Sequence, residues 1–454
     1  MAIDTAANNS PSLGSVGKPS TLQFMGRALR YPNYRLFCGG QIVSLIGTWM
    51  TNVAMSWLVF RLTGSAFLLG MVGFAGQSPA FLISPFAGIF VDRWNRHHLL
   101  ILTQTLSMLE SFALAALTLS HRVTVPALLG LTVLQGLINA FDMPCRQAFV
   151  VELIENKEDL GNAIALNSSM FNVARLLGPS IGGIIIGAAG EGWCFLIDGV
   201  SYLAVIAALC AMTFKQRKEQ RHAQAGSIQQ FKEGWDYVSG SPPIRSIISL
   251  LALVSLVGIP YAVLMPIFAG KILHGGPHTL GFLMTASGCG ALIGALWLAS
   301  RKSVLGLGRV IVWTTALFGI GLMGFACSKV LWLSVIFMVL TGFGFMVEMA
   351  SSNTILQTIV EDNKRGRVMS FFIMAFLGTA PFGSLLAGSL SERIGAPHTL
   401  LISGLCCLGG SLWFARKLPE LRKSIRPIYI QMGIIKEVSN ALENTARLTA
   451  PPET

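Results

Sequence analysis

About a dozen apolar stretches run through the chain, and the short segments between them alternate between strongly basic and nearly uncharged. Lys and Arg are retained on the cytosolic side of a membrane, so this alternation predicts a chain that crosses a bilayer repeatedly. The composition agrees, because only 12% of the residues are charged, against about 25% in soluble proteins. We therefore expect an all-α membrane protein.

A membrane-spanning helix needs about 20 apolar residues. The predicted spans 1–12 are Leu36–Phe60, Ala66–Val91, Leu99–Ser120, Val125–Asp142, Ala163–Ala189, Trp193–Phe214, Ile247–Ile272, Leu280–Ser300, Val310–Cys327, Leu331–Ile355, Val368–Leu390 and Thr399–Arg416. If the N-terminus lies inside, only five of the 33 Lys and Arg fall outside, namely Arg61, Arg122, Lys271, Lys329 and Arg393. The positive-inside rule therefore predicts that both termini are cytosolic.

The predicted organisation is two six-helix bundles joined by a linker. The expected segments are a tail at 1–34, a bundle at 35–214, a linker at 215–245, a bundle at 246–416 and a tail at 417–454. The linker carries Ile228, Phe231, Trp235 and Val238 at helical spacing. This pattern favours a surface helix along the membrane, although chance amphipathicity in a plain linker remains the alternative.

Several function classes are disfavoured by the composition. The net charge of +12 is spread over loops and tails rather than one basic face, so nucleic-acid binding is not expected. The eight Cys show no C-x-x-C spacing and read as small core residues, so neither metal nor disulfide is predicted. No G-x-x-x-x-G-K-S/T loop or catalytic cluster is present, so we expect no cofactor and no enzyme activity. No apolar signal-peptide segment is seen near the N-terminus.

The two halves look related. The segments 153–161 and 359–366 are similar, and each leads into a span interrupted by Gly and Pro. Paired interruptions at equivalent positions of two repeats indicate the moving core of a transporter.

Two local patterns suggest conformational roles. After span 2 come Gly88, Asp92, Arg93 and Arg96, a charge cluster that would latch one half against the other, or else form an ordinary basic turn. Span 5 contains Gly178, Pro179, Gly182 and Gly183. Its glycines offer a flat face and its proline a kink, which suits a helix that seals the outer side and opens by rocking. Simple close packing is the alternative.

On these residues the chain resembles the major facilitator superfamily, whose loop signature is G-x-x-x-D-R-x-G-R-R/K; Asn95 and His97 depart from it. Span 5 is similar to the G-P-x-x-G-G motif of its exporters, and the segments 57–65, 142–148, 172–175 and 365–368 resemble the branch that contains the enterobactin exporter. The resemblance implies twelve transmembrane helices in two pseudo-symmetric bundles. Thr132 stands where many proton-coupled exporters have Arg, so the coupling route is expected to differ.

Charged residues within spans are the first site candidates, because a charge at the bilayer centre costs about 2.5–3.5 kcal/mol on insertion scales. Arg175 is the leading candidate for substrate or proton coupling, followed by Glu110, Glu348 and Asp142. A structural polar clasp is the alternative for each. Further polar candidates for the path are Gln41, Asn52, Gln135, Asn139 and Tyr261. In span 1, Gln41, Ser44, Thr48 and Asn52 form a polar stripe at helical spacing. Trp49 and Met50 flank this stripe and would suit an amphipathic substrate, or else face lipid.

The expected function is alternating-access export of a siderophore or drug-like compound, coupled to protons, by a monomer in the bacterial inner membrane. One alternative is a lipid or lysophospholipid flippase on the same fold. A membrane receptor that transports nothing is a second alternative, but the sequence shows no large soluble domain to support it.

Overall fold

A computed structural model of the protein describes residues 26–212, 227–301 and 303–431. After a 3-10 turn at Arg27–Arg30, the helices are α1 Pro32–Thr63, α2 Ala66–Arg93, α3 Arg96–Leu119, α4 Val125–Glu152, α5 Lys157–Ala189, α6 Glu191–Cys210, α7 Ser227–Gly240, α8 Pro242–Ile272, α9 Pro277–Ala299, α10 Leu307–Cys327, α11 Leu331–Ile359, α12 Asp362–Ile394 and α13 Ala396–Gln431. All of these except α7 contain a stretch long and apolar enough to cross a membrane. The prediction of twelve spans is therefore confirmed.

The helices extend beyond the predicted spans. Span 4 was expected to end at Asp142, whereas α4 continues to Glu152. Span 12 was expected to end at Arg416, whereas α13 is helical up to Gln431, the last residue that the structure describes. Two helix ends between the first spans carry clear caps: the Ser65 hydroxyl accepts from the Leu68 amide at the start of α2, and Gly64 ends α1 with φ of 62°.

Two of the spanning helices are interrupted. In α8, π-helical turns occupy Val254–Gly258 and Phe268–Ile272. In α12, the helical hydrogen-bonding pattern breaks between Leu377 and Ala380, directly before Pro381. Proline lacks a backbone N–H and disturbs the helix ladder, which explains the break in α12.

The helices form two bundles, α1–α6 and α8–α13. In the first, α1 packs on α5 and α6, α2 on α4, and α3 on α4 and α6; in the second, α11 packs on α9 and α10, and α10 on α13. Short connections make successive spans antiparallel, so the described chain enters and leaves at the same end. We call this the terminal end and the opposite side the distal end.

The linker helix α7 lies at the terminal end against α8 and α12. Gly234 faces Phe371, and the Trp235 and Phe371 rings lie 6.1 Å apart. Glu233 forms an ion pair of 2.7 Å with Arg367. Helix α7 is therefore anchored to the second bundle.

Candidate functional site

The two bundles meet at the distal end through two seams of close backbone contact. In the α5–α9 seam, a Cβ added to Gly183 would lie 2.8 Å from the Pro277 carbonyl oxygen. In the α2–α12 seam, a Cβ added to Gly70 would lie 2.5 Å from the Ser384 carbonyl oxygen, and one on Gly388 2.7 Å from that of Ala66. Side chains at these glycines would force the helices apart, so the seams depend on glycine.

The seams repeat the same arrangement in both halves. In α5, Gly178 faces α1 and Gly183 faces α9. In α12, Gly383 faces α8 and Gly388 faces α2, with the same spacing of five residues. The glycines therefore reveal structural equivalence between α5 and α12.

The other predicted residues of the span 5 pattern also lie at this closure. A Cβ on Gly182 would lie 3.2 Å from the Met50 Cα on α1, and the Pro179 carbonyl oxygen lies 2.6 Å from a Cβ built on Gly281 of α9. Ser180 and Thr285 join their hydroxyls across the α5–α9 seam at 2.7 Å.

Charged residues close the rim above the seams. One Glu392 carboxylate oxygen accepts hydrogen bonds from the Phe67 amide and the Ser65 hydroxyl at the start of α2, both at 3.1 Å. Lys271 donates to the Gly64 carbonyl oxygen at 2.8 Å. Through these contacts, which we call the distal latch, the second bundle caps two helix ends of the first, the end of α1 and the start of α2.

The face of α5 towards the other bundle is open in its terminal half. Residues three, four or seven apart share a helix face. Five residues of α5 at this spacing lie on the face towards the other bundle. Of these, Ser168 is exposed, Asn172 and Arg175 are part-buried, and Pro179 and Ile186 are buried. The space between the bundles is therefore open at the terminal end and closes just beyond Arg175.

Arg175 lies at the apex of this cavity. Its position on α5 falls between the glycines that face α1 and those that face α9, and opposite the exposed Ile184. Its guanidinium has no hydrogen bond or ion pair among the described residues. A charge held in the middle of a span without a partner needs water or a charged ligand to compensate it.

An aromatic pair lies beside Arg175. Phe171, one helical turn closer to the terminal end, is exposed, and its ring lies 5.6 Å from that of Trp49, in an edge-to-face arrangement. Trp49 also contacts Gly178. The apex thus combines a cation with an apolar wall.

The polar stripe of α4 is partly satisfied within the first bundle. The Gln135 amide donates to the Asn139 side chain at 3.3 Å and to the Ser107 hydroxyl at 3.4 Å. On α1, Gln41 is buried whereas Asn52 is exposed. Of these four predicted residues, Asn52 is the most open.

Asp142 is held in a structural clasp. It pairs with Arg146 one turn along α4 and accepts from the Thr103 hydroxyl at 2.9 Å and the Gln104 amide at 2.8 Å. Both carboxylate oxygens are engaged and the side chain is buried. This arrangement ties α3 to α4 and leaves Asp142 no free oxygen towards a ligand.

Glu110 and Asp198 lie close together inside the first bundle, between α1, α3 and α6. Asp198 accepts from the Thr51 and Ser111 hydroxyls, both at 3.0 Å, and its second oxygen has no partner among the described residues. Both carboxyl groups are buried. The described residues provide no ion-pair partner for either group, so the pair is a buried acidic site away from the cavity.

Glu348 and Tyr261 lie inside the second bundle. Glu348 is fully buried and accepts from the Ser352 hydroxyl at 3.3 Å, while its other oxygen is unpaired in the described structure. The Tyr261 hydroxyl lies 2.7 Å from that of Ser287, and its ring packs on Phe318. Their hydrogen bonds stay within the second bundle, and in the described structure neither side chain contacts Arg175.

The loop after α2 contributes a further cluster at the terminal end. Arg96 forms an ion pair with Glu152 of α4, and Arg93 is exposed. The surroundings of Gly88 and the side chain of Asp92 lie outside the described part of the structure. The latch role predicted for this motif therefore stays a prediction.

Sequence reasoning missed the distal latch and the Glu110–Asp198 pair. Neither has a signal in sequence spacing, because each depends on contacts between distant helices. The Asp142–Arg146 pair was also missed, although its spacing of four residues on one helix could have indicated it.

This arrangement of two six-helix bundles around a central cavity is that of a major facilitator superfamily transporter. One solved structure that shares it is a bacterial homologue of the human lysosomal transporter Spinster in an inward-facing, unoccupied conformation, with a TM-score of 0.66 and 12% identity over 85% of this chain and 96% of that chain. Another is the nucleoside transporter NupG, with a TM-score of 0.64 and 14% identity over 87% of this chain and 99% of that chain. A profile of the transmembrane secretion effector family matches residues 27–431, and the chain belongs to this family.

Curated relatives are similar along nearly their whole length. The staphyloferrin A transporter of Staphylococcus aureus is 26% identical over 86% of this chain and 97% of its own. The multidrug efflux pump Tap of Mycolicibacterium fortuitum is 26% identical over 84% of this chain and 95% of its own. The macrolide efflux protein A of Streptococcus pyogenes is 22% identical over 83% of this chain and 94% of its own. The protein is thus a multi-pass membrane transporter of small molecules and not an enzyme.

Proposed function

We propose that the protein exports a small amphipathic molecule, a siderophore or drug-like compound, from the cytoplasm by alternating access coupled to protons. The observation that carries this proposal is the cavity that is closed distally by glycine seams and has the unpaired Arg175 at its apex. The relatives support export, because two are named as efflux proteins and a third as a siderophore transporter.

The terminal end is proposed to be cytosolic. The distal end carries few basic residues, which are Arg61, Arg122, Lys271, Lys329 and Arg393. By the positive-inside rule, both termini then lie in the cytoplasm and the structure is the inward-facing state, ready to load substrate. The protein would act as a monomer in the bacterial inner membrane.

Transport would follow from rocking of the bundles. The seams part, the terminal ends of the bundles approach, and the bound molecule is exposed distally. Glu110 and Glu348 are proposed proton carriers, because each is a buried carboxyl with no ion-pair partner among the described residues. A proton that joins such a group removes a charge from the low-dielectric interior and shifts the balance between the two conformations.

The test is acid-driven efflux from inside-loaded proteoliposomes, with staphyloferrin A and a macrolide as first compounds. We expect efflux that collapses with a protonophore, falls in Arg175→Ala and loses its dependence on the pH gradient in Glu348→Gln. Arg122→Ala is the matched control, because Arg122 is exposed in a distal loop.

Two results would contradict the proposal. Absence of efflux for every compound in a panel of siderophores and drugs would remove the exporter function. Protonophore-insensitive movement of a fluorescent lysolipid between leaflets would replace it with a flippase.

A further inference from the structure

The partner of Arg175 is missing from the described protein. None of the buried carboxyls in the spans pairs with it in the described structure: Asp142 pairs with Arg146, Asp198 accepts from Thr51 and Ser111 with Glu110 nearby, and Glu348 accepts from Ser352. Arginine remains charged even in apolar surroundings, so it cannot escape its cost by losing a proton. The compensation must therefore come from water or from a charged ligand in the cavity.

A role in closing the seam does not account for Arg175 either. The polar groups nearest to it along the α5–α9 seam satisfy one another, since Thr285 pairs with Ser180 and also donates to the Leu176 carbonyl oxygen at 3.2 Å. The contact of Gly288 with α5 involves the Arg175 backbone and not its side chain. The guanidinium is thus free to face the cavity.

The repeat symmetry shows that the scaffold does not require a cation at this place. Arg175 precedes the α5 glycine Gly178 by three residues, and the residue that precedes the equivalent Gly383 of α12 by three is Ala380. Ala380 is buried and uncharged. At this register of the two repeats, only α5 carries a positive charge, so the packing of the helices does not demand one.

We infer that the transported molecule is an amphipathic anion, whose carboxylate or similar anionic group pairs with Arg175 while its apolar part lies against Phe171 and Trp49. This inference rests on the proposed export function. A guanidinium matches a carboxylate with two parallel hydrogen bonds, which a lysine ammonium does not reproduce. The adjacent rings add apolar contact area at the open side of the cation.

The test uses two fluorescent probes with the same aromatic body, anilinonaphthalene sulfonate, which is anionic, and phenylnaphthylamine, which is neutral. Binding is measured to the full-length protein in nanodiscs, with empty nanodiscs subtracted. We expect Arg175→Gln to weaken binding of the anionic probe about 10- to 100-fold, the loss of one charged hydrogen-bonded contact. The affinity of Arg175→Lys for the anionic probe should lie between those of the wild type and Arg175→Gln. Binding of the neutral probe should not change in either variant. Arg122→Gln is the control for a general loss of surface charge.

Unchanged affinity of Arg175→Gln for the anionic probe would overturn the inference, as would an equal loss for both probes or a wild-type protein without preference for the anion. Efflux assays separate this failure from that of the proposed function. If an exported compound leaves equally well through wild type and Arg175→Gln, export stands and the anion site does not. If no compound is exported, the proposed function itself fails.

Discussion

Replacement of Gly183 by alanine should shift the protein away from the distally closed conformation. The added Cβ would lie 2.8 Å from the Pro277 carbonyl oxygen and 3.2 Å from the Gly281 Cα, both backbone atoms that cannot rotate away. Overpacking of this kind costs about 1–3 kcal/mol. Because the contact joins the two bundles, this cost falls on the closed state alone, and the population ratio should change about 5- to 150-fold.

The shift can be measured as a distance across the distal end. Spin labels placed at Arg122 and Lys329, both exposed, report the separation of the bundles by double electron–electron resonance in a variant without native cysteines. We expect Gly183→Ala to gain a population with a longer distance.

Gly161→Ala is the matched control, because Gly161 lies on the same helix with no atom within 4 Å of an added Cβ. The gain in helix propensity is the same in both variants, so it cannot produce a difference between them. Identical distance distributions for the two variants would refute the idea that backbone contact at the seam holds the distal end closed.

Three further predictions concern charged groups. Glu392→Ala removes a cap from the start of α2 and should raise the distally open population by the equivalent of about 0.5–2 kcal/mol, measured with the same labels. No change would mean that the distal latch does not stabilise the closed conformation. Asp142→Asn should lower the free energy of unfolding by about 1–3 kcal/mol because it leaves Arg146 without its counter-charge, whereas Asp362→Asn in an exposed pair should change it by less than about 1 kcal/mol. Equal thermal stability of these two variants would argue against the clasp. Glu110→Gln should abolish the dependence of efflux on the pH gradient while the purified protein keeps its fold by circular dichroism; retained dependence would exclude Glu110 as a proton carrier.

The number of spans and the class of fold could be predicted because both follow from local composition. Apolar length marks each crossing, and the glycines of span 5 marked a flat contact face, which the structure places at Gly178 and Gly183. Helix ends were less accurate, because a helix can continue beyond its apolar stretch, as α4 does from Asp142 to Glu152.

The site was only partly accessible from sequence. A lone Arg175 within a span signals a functional charge, but whether a carboxylate answers it depends on how the helices pack. The same reasoning grouped Asp142 with the ligand candidates, although Arg146 lies one turn away to neutralise it. Glu110 and Asp198 are nearly 90 residues apart in the chain, so no pattern in either helix predicts that they lie together.

The glycine seams carry a consequence for how the transporter responds to its surroundings. The seams close the distal end by close packing of backbone atoms, and van der Waals contacts do not depend on ionic strength or membrane voltage. Of the contacts described at the distal closure, those of Glu392 and Lys271 involve ionised side chains and would weaken in concentrated salt. High external salt would therefore weaken the contacts of Glu392 and Lys271 and leave the packing of the glycine seams unchanged.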